Sequence, residues 1–446
     1  MRIVIAGAGD VGFHLAELLA FENQDIILID ENQEVLDYAA THLDVMTLRG
    51  DSASIEVLKQ ADVNSAGLFL AVTTSEKNNL MTSILAKQMG AKQTVARVKN
   101  REYLDEEQLA LFKKLGVDNL ISPRSLAAKE LTRLVSQCSF TDIFEFEDGK
   151  INLVGLTLDD YSPLVSRSLN EIQSESLQNT ILPIAILRGH RTIIPRGDTV
   201  LHRNDHIYFI SKASCIQDVE DFVGRKHVDV KNVMIVGGSG LAYEAALSLQ
   251  KDYNVKLIEK KKDRCKLLAE HLDNTLIIHG NASNIDLLES EGLSRMDVFI
   301  ALTGNNETNI IACLTAKNRG VYKTIAQVEN KEYTHISQNI GVDTLINKKL
   351  IAANNIFRFV RKGHVEAITG LSGVDAEVIE YSIDKENQLT KKALKDLHFP
   401  DTAIIGGVIR GEKSLIPDGD FQLQKGDKVI IFALPESITR LEKLFR

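Results

Sequence analysis

The chain has 446 residues, with 52 basic against 61 acidic side chains and a formal net charge of −9; 44% of the residues are hydrophobic and 25% charged. Those proportions exclude long disordered, collagen-like or coiled-coil segments, and the length suggests two to four domains at about 100–200 residues each. The acidic balance, with no block of like charges, leaves no electrostatic footprint for nucleic acid or anionic lipid, and no apolar run approaches the roughly 18–20 residues of a bilayer span.

Met1-Arg2 followed by Ile3-Val4-Ile5-Ala6 resembles the start of a signal peptide, but the apolar stretch stops at Gly7, short of the roughly 7–15 residues of an h-region. It reads as a first β-strand. Strands and helices then alternate: strands over 3–6, 25–29, 45–48, 68–73, 94–98 and 119–121, with helices over 11–20, 34–40, 55–60, 79–89 and 106–115. The strands are short, nearly continuous apolar runs, as a parallel sheet covered on both faces requires, so this part reads as a doubly wound α/β domain. Strands over 143–146, 151–158, 185–187 and 207–210 around one helix at 169–175 read as a small α+β module. Cys138, Cys215, Cys265 and Cys313 are scattered without a CxxC pair, which fits a reducing compartment and a cytoplasmic location.

The chain then repeats itself. Val4 to Gly9 is echoed by Met234 to Ser239, Gly50-Asp51 by Gly280-Asn281, Leu68 to Thr73 by Val298 to Thr303, and Thr94 to Val98 by Thr324 to Val328, all at an offset of about 230 residues. That offset suits a duplicated domain and not a solenoid. The small module repeats too: Arg188, Pro195, Gly197-Asp198 and Asp205 correspond to Arg410, Pro417, Gly419-Asp420 and Asp427. The expected order is a Rossmann-like domain over 1–138, a small domain over 139–225, a second Rossmann-like domain over 226–363 and a second small domain over 364–446.

Gly7-Ala8-Gly9-Asp10-Val11-Gly12 is a complete GxGxxG between strand and helix. Its first glycine permits the tight turn, the second lets backbone N–H groups approach a pyrophosphate, and the third lets helix and strand pack closely. Asp30 closes the second strand 21 residues after Gly9, where a carboxylate accepts from ribose hydroxyls and repels a 2′-phosphate, favouring NAD(H) over NADP(H). Asp51 ends the third strand, near an adenine or as a cap of the next helix; the two roles are compatible. Thr73 and Thr74 follow the fourth strand at its carboxyl end, and Arg97 follows the fifth, within reach of a phosphate or in a salt bridge at the sheet edge. Asp10 lies beside the phosphates and disfavours a triphosphate relative to a dinucleotide.

The second copy keeps Gly237 and Gly238 but has Ser239 and Ala242 where the first has Gly9 and Gly12; Glu259 holds the place of Asp30, Asn281 that of Asp51, and Gln327 that of Arg97. A weaker, altered or empty site is expected there. No HExxH and no nucleophile elbow accompanies either copy. Binding without turnover fits better than the alternative, an NAD-dependent oxidoreductase, which needs a substrate domain with a proton donor.

Taken together, the GAGDVG loop at 7–12, Asp30, Gly50-Asp51, Ala71-Val72-Thr73, Ala96-Arg97-Val98 and the duplicated Pro-x-Gly-Asp module resemble the TrkA family, the tandem KTN/RCK regulatory subunits of bacterial Trk potassium-uptake systems. The resemblance covers essentially the whole chain. It implies a non-enzymatic, cytosolic protein that binds NAD(H), with ATP or ADP as further ligands. Such a protein assembles as a homo-oligomeric, tetrameric ring and gates a membrane-embedded potassium channel of the TrkH type, without inserting into the membrane itself. It further implies that Gly7, Ala8, Gly9, Asp10, Val11 and Gly12 hold phosphate, Asp30 ribose and Asp51 the adenosine side, with Thr73, Thr74 and Arg97 completing the pocket. By the same correspondence Gly237, Gly238, Ser239 and Glu259 form the second site, which the departures at Ser239, Ala242, Asn281 and Gln327 put in doubt.

Overall fold

The computed structural model describes the whole chain except residues 21–23, 148, 173–179, 190, 226, 331–332, 334–340, 358–364, 371–375 and 446. The boundaries expected at 226 and 364 fall on residues outside that description, as does the end of the helix expected at 169–175, of which Leu169–Ile172 is helical.

Four sheets follow one another along the chain. The first is built from β1 (Arg2–Ala6), β2 (Asp25–Asp30), β3 (Met46–Arg49), β4 (Leu68–Ala71), β5 (Thr94–Arg97) and β6 (Asn119–Ile121), in the order β3-β2-β1-β4-β5-β6. Every pairing in it is parallel. Its central strands are buried along their length, Ile3 to Ala6 and Leu68 to Ala71 being wholly inaccessible, and each such aliphatic side chain contributes about 1.5–3 kcal/mol by leaving water. Strand order reverses between β1 and β4, which opens a crevice at their carboxyl ends.

The second sheet is antiparallel: β7 (Asp142–Phe146), β8 (Ile151–Thr157), β9 (Ile181–Arg188), β10 (Arg191–Ile193) and β11 (His206–Lys212), ordered β10-β9-β11-β8-β7. The third, of β12 (Asn232–Val236), β13 (Asn254–Glu259), β14 (Thr275–His279), β15 (Val298–Ala301), β16 (Lys323–Gln327) and β17 (Thr344–Ile346), has the first sheet's topology, β14-β13-β12-β15-β16-β17. The fourth, of β18 (Val365–Gly370), β19 (Glu377–Ser382), β20 (Ala403–Arg410), β21 (Lys413–Leu415) and β22 (Lys428–Ala433), has that of the second. The fold is two doubly wound Rossmann-like domains, each followed by a small α+β domain. Three elements in the first half go beyond expectation. Helix Pro123–Ser136 was not anticipated; Ser122 caps it, its Oγ accepting from Ser125 N at 3.3 Å, with proline at the first helical position. The small domain also gains β10 and helix Ile216–Phe222.

The polypeptide divides into two compact units that do not follow the repeat. One comprises Met1–Glu130, Ser239–Ser248 and Ile346–Arg361. It therefore joins the first parallel sheet to two segments of the second copy, and helix Lys348–Phe357 packs on helix Asp10–Ala20 within it. The other comprises Leu131–Gly238, Leu249–Leu345 and Lys362–Arg446. In this second unit the two antiparallel sheets share one core, in which Ile151, Ile184, Tyr208 and Ile210 meet Val378, Ile430 and Phe432. Gly406 makes that approach possible, since a Cβ there would lie 2.1 Å from Ile210 Cδ1.

The repeated Arg and Asp of the small domains are the same device twice. Arg188 grips Asp205 with two bonds of 2.8 and 2.7 Å, and Arg410 grips Asp427 with two of 2.8 Å. Both aspartates are 1% exposed, and each pairing holds its arginine above the ordinary guanidinium pKa through the hydrogen bond to the carboxylate.

Candidate functional site

A cavity of about 940 Å³ opens at the carboxyl ends of β1 and β4. Gly7, with φ +104°, turns the chain out of β1, and a Cβ on it would lie 2.8 Å from Thr73 N. A Cβ on Gly12 would lie 1.8 Å from Gly7 O. Around Gly9 there is nothing within 4 Å. The first and third glycines are thus demanded by the protein's own packing, while the second faces open space, where a phosphate needs the backbone bare.

Gly9, Asp10, Val11, Asp30, Asp51, Thr73, Thr74 and Arg97 line this cavity together with Gly7. Ala8 and Gly12 lie beneath, Ala8 being 3% exposed. The Asp30 carboxylate accepts from Ala8 N at 2.7 Å and from Asn32 N at 2.9 Å, which fixes it at the cavity wall and ties the phosphate loop to the end of β2. Asp51 Oδ1 accepts from Ala53 N at 2.9 Å, closing an Asx turn. The helix Ile55–Gln60 has Ser54 as its N-cap, so the alternative of Asp51 as a helix cap is corrected: the carboxylate binds two residues on, before the helix begins. Arg97 Nη1 reaches Val72 O at 3.5 Å.

Thr73 is held by a residue that the motif reading missed. Asn79, 1% exposed, accepts from both Thr73 N (2.9 Å) and Thr73 Oγ1 (2.6 Å), and its Nδ2 donates to Arg97 O at 2.8 Å. One buried amide therefore fixes the ends of β4 and β5 together. Asn309 does the same for Thr303 and Gln327 in the second copy, at 2.9, 2.6 and 2.9 Å. The signal was present in the sequence as the echoed Thr-x₅-Asn spacing.

Also missed were two cations from the other copy. Lys348 and Lys349 line the cavity, and Lys349 Nζ pairs with Asp10 Oδ2 at 2.5 Å. Lys349 thus stands against the carboxylate from which discrimination against a triphosphate is expected.

In the second copy Gly237 keeps the positive φ, +94°, and the close approach to Thr303 N, 2.7 Å for a Cβ. Glu259 accepts from Gly238 N at 2.5 Å and Lys261 N at 2.8 Å, repeating the bonds of Asp30, but it is only 9% exposed. Arg264 Nε donates to Gly238 O at 2.8 Å. Ser239 Oγ accepts from Ala242 N at 3.2 Å. Against Gly240, which stands where the first copy has Asp10, lies the guanidinium of Arg124, 2.7 Å from where a Cβ would be.

Elsewhere, the repeated turns at Pro195, Gly197, Pro417 and Gly419 line a cavity of about 720 Å³ floored by Ile181, Leu182, Ile404 and Ile405. Among the described residues no group of three or more His, Cys, Asp and Glu is placed to hold a metal ion, and no helix is long and apolar enough to cross a membrane. Cys138, Cys265 and Cys313 are buried and Cys215 half-buried, all unpaired by disulfides.

Fold and cradle define the class: a tandem protein with two Rossmann-type cores of nucleotide-binding architecture, each carrying a small antiparallel domain. The TrkA-N domain model matches residues 3–123 and 233–348, and the TrkA-C domain model residues 153–224 and 378–446. The chain is 34% identical to a Trk system potassium uptake protein TrkA homolog of Archaeoglobus fulgidus, covering 100% of both chains. It is 32% identical to the Trk system potassium uptake protein TrkA of Halomonas elongata, covering 100% of this chain and 99% of that one. The chain belongs to the TrkA family of Trk-system potassium-uptake proteins. Among solved structures it is similar to a GsuK channel bound to NAD, with a TM-score of 0.62, 16% identity and coverage of 100% of this chain and 78% of that one. It is similar also to GsuK bound to ADP, with a TM-score of 0.50, 13% identity and coverage of 81% and 69%. At such identities these two show the fold alone.

Proposed function

We propose that this chain is a regulatory subunit that binds NAD(H) or another adenine nucleotide in the first copy's cavity and thereby gates a membrane potassium-conducting partner of the TrkH type. The observation that carries the reading is the convergence at the β1/β4 crevice of an open Gly9, a backbone-anchored Asp30, Asp51, Thr73 and Arg97 around about 940 Å³. That is enough room for a nucleotide, with a loop for phosphate and a carboxylate for ribose. The names of the relatives support potassium uptake, and a neighbour of the same fold carries NAD.

The protein acts as a ring-forming homo-oligomer at the inner face of the membrane, held by its partner, and it is not an enzyme. The second copy holds its nucleotide weakly or not at all: Arg264 closes on Gly238, Glu259 is buried, and Arg124 covers Gly240. A ligand shifts the ring only by its differential affinity for two states. The test is potassium flux through vesicles holding this protein with its cognate transporter, with and without saturating NAD⁺, NADH, ATP or ADP. A nucleotide-dependent change in flux is expected; identical flux in all conditions refutes the gating role.

A further inference from the structure

The first copy's cavity is electrostatically incomplete without the second copy. From their own half, Lys77 and Arg97 face Asp10, Asp30, Glu31 and Asp51, two cations against four carboxylates. A pocket with that balance repels a polyanion. Lys348 and Lys349, at the start of helix Lys348–Phe357, make the numbers equal. They arrive because that helix packs on helix Asp10–Ala20 inside one compact unit.

We propose that Lys348 and Lys349 are the phosphate-binding wall of this site, and that ligand phosphate takes over Lys349 from Asp10. The inference rests on the reading that the cavity takes an adenine nucleotide. In the present arrangement Lys349 is bonded to Asp10, whose side chain is 72% exposed. A pair with one partner so open to water contributes little and breaks readily. Asp10 is not stranded when its partner leaves, since it occupies the first turn of its helix, where the macrodipole favours an anion. Lys349 is itself only 25% exposed, so its ammonium is screened less by water and binds an incoming phosphate correspondingly more strongly.

The position is built, and it recurs. Lys349 follows β17 as Arg124 follows β6, and Arg124 reaches across to Gly240 as Lys349 reaches to Asp10. Each copy thus extends a cation to the other's helix start, but only the first copy meets it with a carboxylate. Exchange of Asp10 for phosphate at Lys349 therefore gives a ligand a handle on the second copy. The gain grows with phosphate charge: the diphosphate of ADP, with its free terminal phosphate, carries more negative charge than the doubly esterified pyrophosphate of NAD. The site distinguishes ligands through lysines that the nucleotide-binding loop does not contain.

Calorimetric titration of the full chain and its Lys348→Gln, Lys349→Gln and Asp10→Asn variants with ADP and NAD⁺ tests this, with melting curves confirming that each variant is folded. Lys349→Gln is expected to weaken ADP by about tenfold while NAD⁺ weakens markedly less, with a smaller loss of the same sense for Lys348→Gln. Asp10→Asn is expected to tighten ADP. Unchanged ADP affinity in both lysine variants overturns the proposal, as does equal loss of both ligands or weaker ADP binding in Asp10→Asn. Failure of the unmodified chain to bind either ligand instead removes the nucleotide reading on which the proposal stands.

Discussion

At the scale of single residues, the three glycines of the first loop are predicted to separate by function. Gly12→Ala places a methyl carbon 1.8 Å from Gly7 O, which the loop and helix must move apart to admit, at a cost of about 1–3 kcal/mol. Nucleotide binding and melting temperature are expected to fall together. Gly9→Ala meets nothing within 4 Å, so the melting temperature should hold within a degree or two while nucleotide affinity drops. Equal thermal losses in the two variants would show that the second glycine is structural as well.

Lys323 supplies a second prediction at this scale. It is fully buried, its Nζ donates to Phe140 O at 2.6 Å, and burial pushes its pKa down to about 8, with Asp343 opposing that fall. Because the folded state holds this proton less tightly than the unfolded chain, Lys323 destabilises most below pH 8. The penalty is relieved as pH rises from about 8 towards the ordinary lysine value of 10.5, at up to about 1.4 kcal/mol per pH unit. Cys138, whose thiol burial pushes up to about 11, acts with the opposite sign above pH 9. The comparison therefore has to be between the native chain and Lys323→Met, with denaturant melts at successive pH values. The native chain is expected to gain on the variant across that window, and parallel profiles would contradict it.

At the scale of elements, the small domains are predicted to depend on their arginine–aspartate clamps more than on any turn. Asp205→Asn or Asp427→Asn leaves a guanidinium facing a neutral amide at a position where the carboxylate is 1% exposed. Each is expected to lose about 1–3 kcal/mol, the range for hydrogen bonds to a charged group, read as a shift in the unfolding midpoint at unchanged slope. A loss below about 0.5 kcal/mol would mean that the pair behaves as a surface bridge. The sequence showed these residues as an echo without a reason; the geometry supplies it. Other elements were readable for physical reasons. The parallel strands declared themselves because burial on both faces leaves uninterrupted aliphatic runs, as at Leu68 to Ala71. Helix Pro123–Ser136 was overlooked although Ser122-Pro123 is a helix start, because its polar residues blur the apolar period. β10 was overlooked because three residues, Arg191–Ile193, carry no period at all.

At the scale of the whole molecule, the duplication was legible and its consequence was not. Motif spacing located Gly7, Asp30, Asp51, Thr73 and Arg97 around one crevice, since all stand at carboxyl ends of adjacent parallel strands and chain order maps onto sheet order. Asn79 escaped because a buried amide that braces a site has no signature of its own. Lys348 and Lys349 escaped because nothing within the second copy's sequence says that its helix serves the first copy's cavity. That association is tertiary, and it brings residues of both halves of the repeat to the wall of one cavity. The most direct measurement is calorimetric titration of the intact chain with NAD⁺, NADH, ATP and ADP, reading stoichiometry per chain. One nucleotide bound per chain is expected, abolished or severely weakened by Asp30→Ala and little changed by Glu259→Gln. Two equivalent nucleotides per chain, or one that survives Asp30→Ala and is lost in Glu259→Gln, would contradict it.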